Sequence, residues 1–321
     1  MRRIARAAAL ALALAGLAAG SAAHAQYGTE GRILKQTGGP SFLFPWYTLG
    51  PEYTDAIQPF FGAVLDGLKT DDKFLALLTP RERKILQNVR IEPVNNPRAI
   101  FDAQPVGDGG IIRLSQGSTY FVDTFANVMG RYSRFSDDWM IAIFLESEFK
   151  ITDKGQRWFQ FATYYKWRNI PEPRMDEALN TEITVMGRLI VAAALTHELC
   201  HVFLGHGPLA MEYAKSLPIR RKRELDADRC AANLMMKNDI NPEFAFTFSL
   251  ALSKVASRPE LDEHPVNEAR WRALRGYGDA FIAHKVATGE LPAAQAEKYR
   301  EMVTRVQGVI MMVQRYWGKI A

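Results

Sequence analysis

The residues most able to do chemistry lie in the segment His197-Glu198-Leu199-Cys200-His201. Residues four apart share one face of an α-helix, so His197 and His201 can present their imidazoles to one metal ion. Glu198 then lies beside the ion as a candidate general base. This arrangement is typical of a zinc hydrolase, which still needs a third protein ligand.

Glu224 is the candidate third ligand, on a second helix that the pattern predicts over Ile219–Asn238. The histidine pair belongs to a helix predicted over Glu177–Gly205. Asp228 follows Glu224 by about one helical turn and is placed to accept the free N–H of a zinc-bound imidazole. Two histidines and one glutamate leave the fourth zinc position open for water, as catalysis requires.

His206 is an alternative third ligand, as in metzincins. In metzincins a glycine comes seven residues after the first histidine, and the third histidine comes ten residues after the first. In this chain Leu204 and Gly207 occupy those two positions. We therefore reject the metzincin pattern and expect His206 to be a hydrogen-bonding residue near the metal.

A structural zinc site is the second alternative. Such sites close all four positions with protein ligands, often thiolates, but Cys200 is adjacent to His201 on one helix, which makes joint ligation awkward. Cys230 lies about 200° around its helix from Asp228 and so points away from the metal. We interpret both cysteines as packing residues rather than a disulfide, although an exported chain would permit the bond.

A further segment, Glu263-His264-Pro265 followed by Arg270, places a histidine on a loop before a helix. His264 and the histidines at 197, 201 and 206 leave only His284 outside these segments once the leader is removed. Scattered core histidines would not cluster in this way, so we include His264 and Arg270 in the candidate site.

The first 25 residues have the pattern of a cleavable signal peptide. Three arginines precede a short apolar stretch, and Ala23-His24-Ala25 forms a cleavage site. The apolar stretch is shorter than the roughly 20 residues that span a bilayer. We therefore expect a periplasmic protein with no transmembrane segment after signal removal, for which peripheral association with the envelope is possible.

The charge of the chain excludes one class of partner. Its 40 basic and 35 acidic residues give +5, but Arg2, Arg3 and Arg6 belong to the leader, which leaves +2. Such a balance gives no reason to expect nucleic-acid binding.

The chain is expected to be mainly α-helical with one small β-sheet. Short β-prone runs at Ala99–Phe101 and Gly110–Ser115 flank a turn at Pro105–Gly109. Thr79 begins a helix with a capping box, and that short helix ends before Pro93. The predicted organisation is a signal peptide at 1–25, an irregular and helical lead-in at 26–94, a metal-binding domain at 95–285 and a C-terminal packing helix at 286–321.

The combined motifs resemble the HtpX and CAAX-prenyl-endopeptidase family of gluzincin metallopeptidases. These motifs are His197-Glu198-xx-His201 with His206, Glu224-xxx-Asp228 and His264-Pro265-xxxx-Arg270, and the resemblance spans about Ala99 to Arg275. The soluble periplasmic members of the BepA type are the nearer comparison. The resemblance implies a gluzincin-type fold and a single Zn²⁺ held by His197, His201 and Glu224.

The implied activity is hydrolysis of peptide bonds in unfolded or misassembled envelope proteins. Glu198 would be the catalytic base, and His264 would stabilise the oxyanion or gate the metal, with Asp228, His206 and Arg270 as supporting residues. In that family a strand ahead of the metal helix binds extended polypeptide, which here corresponds to an edge strand near Ala99–Ser115.

Two other functions stay open at this point. A metal-binding periplasmic chaperone or assembly factor would hold envelope proteins with little or no proteolysis, and the aromatic-rich N-terminal lead-in supports it. A zinc amidase acting on peptidoglycan is the other alternative.

Overall fold

The computed structural model describes residues 55–96, 101–135, 138, 140–142, 144, 164–166, 169, 176–207, 217–243 and 268–317. Within them the protein is mainly helical with one small mixed sheet, as the sequence predicts. His264 and the N-terminal lead-in before residue 55 lie outside the described residues.

Four short helical segments precede the sheet. Thr79 caps the last of them: its hydroxyl accepts from the Glu82 N–H and the Glu82 carboxylate accepts from the Thr79 N–H, which confirms the predicted capping box. The segments are a π-helix at Gln58–Gly62, α1 at Ala63–Thr70, α2 at Asp72–Leu77 and α3 at Pro80–Gln87.

The sheet has three strands: β1 at Val89–Val94, β2 at Phe101–Val106 and β3 at Gly109–Ser115. β3 is central, parallel to β1 and antiparallel to β2. Gly107 is the first central residue of the two-residue β2–β3 turn, and its φ of +57° is a conformation that favours glycine. The predicted run Gly110–Ser115 corresponds to β3. The predicted run Ala99–Phe101 overlaps β2 only at Phe101, because β2 continues into the segment predicted as a turn. The sequence does not predict β1.

Two long helices form the centre of the molecule, α4 at Gln116–Phe135 and α5 at Glu177–Phe203. Their backbones approach closely at Gly130, where a Cβ would lie 2.7 Å from the Ile183 side chain. α5 also packs against β2, so the edge of the sheet lies beside the helix that carries the two histidines.

Among the described residues, α5 alone is long and apolar enough to span a membrane. However, 72% of its most apolar stretch is buried inside the protein. The core helix of a globular protein has the same length and composition, which is why hydropathy alone does not distinguish the two cases.

Three further helices complete the described structure: α6 at Leu217–Lys237, α7 at Glu268–Ala287 and α8 at Ala293–Trp317. α6 packs against α5, α7 packs against α6, and α8 packs against α7. The predicted helix bounds at Ile219–Asn238 and Glu177–Gly205 therefore differ from the structure by two residues or fewer at each end.

The interpretation of the two cysteines as unbonded packing residues is wrong, because Cys200 and Cys230 form a disulfide between α5 and α6. Their Cα atoms are 5.9 Å apart, within the usual range for such bonds. Cys230 is predicted to point away from the metal position on α6, but this direction still brings it into contact with α5. Ala227 and Ala231 are fully buried on α6, and their small side chains are consistent with a close approach of the two helices.

Candidate metal centre

The helix that carries the histidine pair is built to bury them. The carboxylate of Asp176 accepts a hydrogen bond of 2.8 Å from the Leu179 N–H and caps the start of α5. Every residue from Ile190 to Phe203 is buried. Gly205, at φ +70°, ends the helix in the left-handed conformation that is usual after a helix C-terminus.

The two histidines converge as their four-residue spacing predicts. The Nε2 atoms of His197 and His201 are 3.1 Å apart, and both side chains are buried. Two imidazoles whose Nε2 atoms meet at one point can bind one metal ion together when neither of these nitrogens carries a proton.

Glu224 reaches the same point from α6. Its carboxylate oxygens lie 3.3 Å from His197 Nε2 and 3.2 Å from His201 Nε2. Among the described residues, these three side chains form the one group whose ligand atoms lie close enough together to hold a metal ion. Ligands at about 2.0–2.1 Å from a tetrahedral zinc are roughly 3.3 Å apart, so the donor set and its spacing fit Zn²⁺.

A buried ionic network supports the ligands from α7. Arg270 donates two hydrogen bonds to Asp228, including one of 2.9 Å from Nη2 to Oδ1, and its Nη1 lies 2.9 Å from Glu224 Oε2. Asp228 Oδ1 in turn lies 3.0 Å from the Nδ1 of His197. Asp228 therefore orients a ligand histidine, and Arg270 holds both acidic residues in place.

Burial and charge act in opposite directions on the pKa values in this network. For Asp228, burial would raise the pKa, but the Arg270 guanidinium and His197 hold it below its usual value. For His197 without metal, burial opposes the charged imidazole, but Asp228 and Glu224 outweigh it and raise the pKa to about 9. The same carboxylates that attract a proton make this imidazole a stronger metal ligand.

His206 supports the second histidine. Its Nδ1 lies 3.0 Å from the Nδ1 of His201, so the two rings can share one hydrogen bond while the Nε2 of His201 faces the metal position. Burial and the nearby Arg223 guanidinium lower the pKa of His206, which favours the neutral ring that can accept this bond. Arg223 also donates a hydrogen bond of 2.8 Å to the Gly207 carbonyl, a link between α6 and the end of α5 that no sequence motif predicts.

Glu198 is buried beside His197 on α5 and is not one of the three ligand residues. The structure brings together six of the predicted site residues besides Glu198, and it describes nothing of His264. The six are His197, His201, His206, Glu224, Asp228 and Arg270.

Residues 207–277 match the model of peptidase family M48, which is under a quarter of the 321 residues. The matched segment includes Glu224, Asp228 and Arg270 and begins just after the histidine pair. No curated protein and no solved structure matches the chain.

The similarity of residues 207–277 to the M48 model and the buried cluster of two histidines and one glutamate together indicate a zinc metalloendopeptidase. The implied cofactor is zinc. The mainly helical fold with its small sheet and the HExxH sequence on α5 agree with a gluzincin-type peptidase.

Proposed function

We propose that the protein is a periplasmic endopeptidase that cleaves extended segments of unfolded or misassembled envelope proteins. The observation that carries the proposal is the buried cluster of His197, His201 and Glu224 with Glu198 beside it. His197, His201 and Glu224 would hold a zinc ion, which would supply Lewis-acid chemistry by lowering the pKa of water towards about 7 and polarising a scissile carbonyl.

The protein's own residues carry the proton and fix the geometry. Glu198 takes the proton from the attacking water at its carboxylate and later donates it to the leaving amine. Asp228 and His206 fix the orientation of the two ligand imidazoles through their Nδ1 atoms. His264 is proposed to stabilise the oxyanion or to occupy the open position until substrate arrives.

The proposed binding place for the polypeptide is the outer edge of β2. The opposite edge of the sheet is closed by side chains, because Lys69 and Gln58 donate to the carbonyls of Val89 and Ile91 on β1. β2 packs against α5, so a strand added at its edge would run beside the metal helix.

The pairing of β2 with β3 indicates which backbone groups a substrate would meet. The two-residue turn closes on the pair Val106 and Gly109, so alternate residues of β2, including Ala103 and Pro105, direct their backbone groups away from β3. Ala103 offers both an N–H and a carbonyl, whereas Pro105 offers only a carbonyl. A substrate strand would therefore exchange two hydrogen bonds with Ala103 and donate one to Pro105.

This binding mode is tested by a pair of substitutions on the edge. Ala103→Pro removes the outward N–H without removing a bond to β3, and we expect KM for an unfolded substrate to rise about 2–10-fold, the value of one net hydrogen bond. Pro105→Ala adds an outward N–H and should lower KM or leave it unchanged. An unchanged KM in Ala103→Pro would exclude this edge as the binding place.

One feature of the sequence and one of the structure support the compartment. The N-terminal signal pattern predicts export, and a disulfide within the structure agrees with an oxidising environment. Cell fractionation with the tagged chain tests this proposal, and recovery of the mature protein with cytoplasmic markers would contradict it.

The activity is tested with purified mature protein and unfolded casein, with Glu198→Gln as the matched control. We expect cleavage by the wild type and none by the variant at equal zinc content. Absence of cleavage by fully zinc-loaded wild type would exclude the peptidase. Suppression of casein aggregation in that case would favour the chaperone alternative, and release of muropeptides would favour the amidase.

A further inference from the structure

We propose that the Cys200–Cys230 disulfide positions Glu224 for zinc binding, so that the intact bond between α5 and α6 completes the metal site. The three ligands come from two helices, with the histidines on α5 and the glutamate on α6. Any sliding or rotation of α6 against α5 moves Glu224 relative to the histidine pair. A covalent bond between the two helices, less than two turns from the ligand on each, restricts that motion.

The disulfide joins α5 at a residue adjacent to a ligand and α6 at a residue less than two turns beyond Glu224. Cys200 directly precedes His201, and Cys230 follows Asp228 by two residues. On α6, Cys230 lies roughly 120° around the helix from Glu224. Ala227 and Ala231 lie between these two directions and are fully buried. Cys230 and Glu224 therefore lie on either side of the buried surface of α6 that Ala227 and Ala231 form.

The two flanks of α6 are held by different means. On the metal side, Arg270 of α7 contacts Glu224 and Asp228, but this bond connects α6 to α7 rather than to α5. Arg223 ties α6 to Gly207, beyond the end of α5. Among the described residues, the disulfide is the one covalent bond between the two ligand-bearing helices.

Reduction is the natural perturbation of this bond. With a trialkylphosphine, the S–S bond breaks, water supplies a proton to each sulfur and its oxygen to phosphorus, and the products are two thiols and a phosphine oxide. Glu224 is then held near the histidines by non-covalent contacts alone. The proposal rests on the three residues as zinc ligands and not on peptidase activity, so metal binding tests it independently of cleavage.

The experiment measures zinc affinity of the full mature chain by competition with a chromophoric chelator, before and after phosphine reduction. We expect the affinity to fall at least tenfold on reduction. The same comparison in Glu224→Ala should show less than a twofold change, because the bond then has no ligand to position. Loss of affinity by the same factor in both proteins would overturn the proposal, as would no loss in the wild type.

Two variants separate positioning from general stability. Cys200→Ala/Cys230→Ala removes both sulfurs and should reproduce the reduced wild type, which excludes an effect of new thiols on the zinc. Val306→Ala creates a small cavity on α8, a helix that carries none of the ligands or cysteines, and should lower the unfolding midpoint while its zinc affinity stays within twofold of the wild type. If the cysteine variant lowers only the midpoint, the disulfide serves the fold and not the ligand. If that variant does not fold, the reduced wild type and reduced Glu224→Ala still decide the question.

Discussion

α4 and α6 both pack against α5, and each carries an aspartate in a desolvated setting, but the two carboxylates behave oppositely. Asp228 of α6 contacts Arg270 and His197, which hold its pKa below the usual value despite burial. Asp123 of α4 has no ion pair with any described residue, and burial raises its pKa to about 7. Of these two buried carboxylates, the one that keeps its charge is Asp228, which lies beside the Arg270 guanidinium at the metal centre.

The largest effect is expected from removal of the cation on the α6 side. Arg270→Leu leaves Asp228 and Glu224 as buried charges without their guanidinium, and the free energy of unfolding of the metal-free protein should fall by about 3–5 kcal/mol. Urea unfolding followed by circular dichroism measures this loss. The exposed neighbour Arg272, changed to Leu, is the control and should cost no more than about 0.5 kcal/mol.

If Arg270→Leu lowers the free energy of unfolding by less than about 1 kcal/mol, the contrast between Asp228 and Asp123 is contradicted. Such a small loss would mean that Asp228 and Glu224 do not depend on the guanidinium for their charge. Zinc content of the same variant adds a second measurement, since support of a ligand carboxylate typically changes metal affinity by about 10–100-fold.

The α4 side is tested through pH. Because the folded pKa of Asp123 is about 7 and its ordinary value is 3.8, the folded state keeps a proton that the unfolded chain releases between these values. The stability that this proton provides is complete below about pH 4 and is lost as pH rises to about 7. Asp123→Asn should therefore match the wild type at pH 4 and exceed it by roughly 2–4 kcal/mol at pH 8, measured by urea unfolding.

The control for this experiment is Asp66→Asn, an exposed aspartate on α1 whose substitution should shift stability equally at both pH values. A wild-type stability that stays flat between pH 4 and pH 8, relative to Asp123→Asn, would show that the Asp123 carboxylate is ionised at low cost. The contrast between α4 and α6 would then disappear.

The metal ligands were predictable because their information is local. The helical period alone places His197, Glu198 and His201 close together on one helix. The same period places Glu224 and Asp228 on one face of a second helix. Fold class and most helix bounds follow from periodicity and capping residues such as Thr79. The sequence offered no equally local signal for the partners of Arg270, which lie 42 and 46 residues earlier in the chain.

The disulfide and strand β1, which the sequence does not predict, have a common physical cause. The disulfide was missed because a helical wheel gives the direction of Cys230 but not the distance between α5 and α6, which depends on small residues such as Ala227. Strand β1 was missed because it is short, contains Pro93 and pairs in parallel with a strand that follows β2 in sequence. Both features depend on contacts between distant segments.

The smallest loss of stability is expected where an arginine–aspartate pair is partly exposed to solvent. Arg113 of β3 donates to Asp102 of β2 at 2.9 Å, much as Arg270 donates to Asp228, but both side chains are about one-third exposed. Arg113→Leu should lower the free energy of unfolding by less than about 1 kcal/mol, because water already screens the charges. Raising the salt concentration should reduce even this loss while leaving that of Arg270→Leu nearly unchanged. If Arg113→Leu and Arg270→Leu lower the free energy of unfolding equally at every salt concentration, burial does not decide the strength of these ion pairs. The metal centre would then not differ from the rest of the protein in this respect.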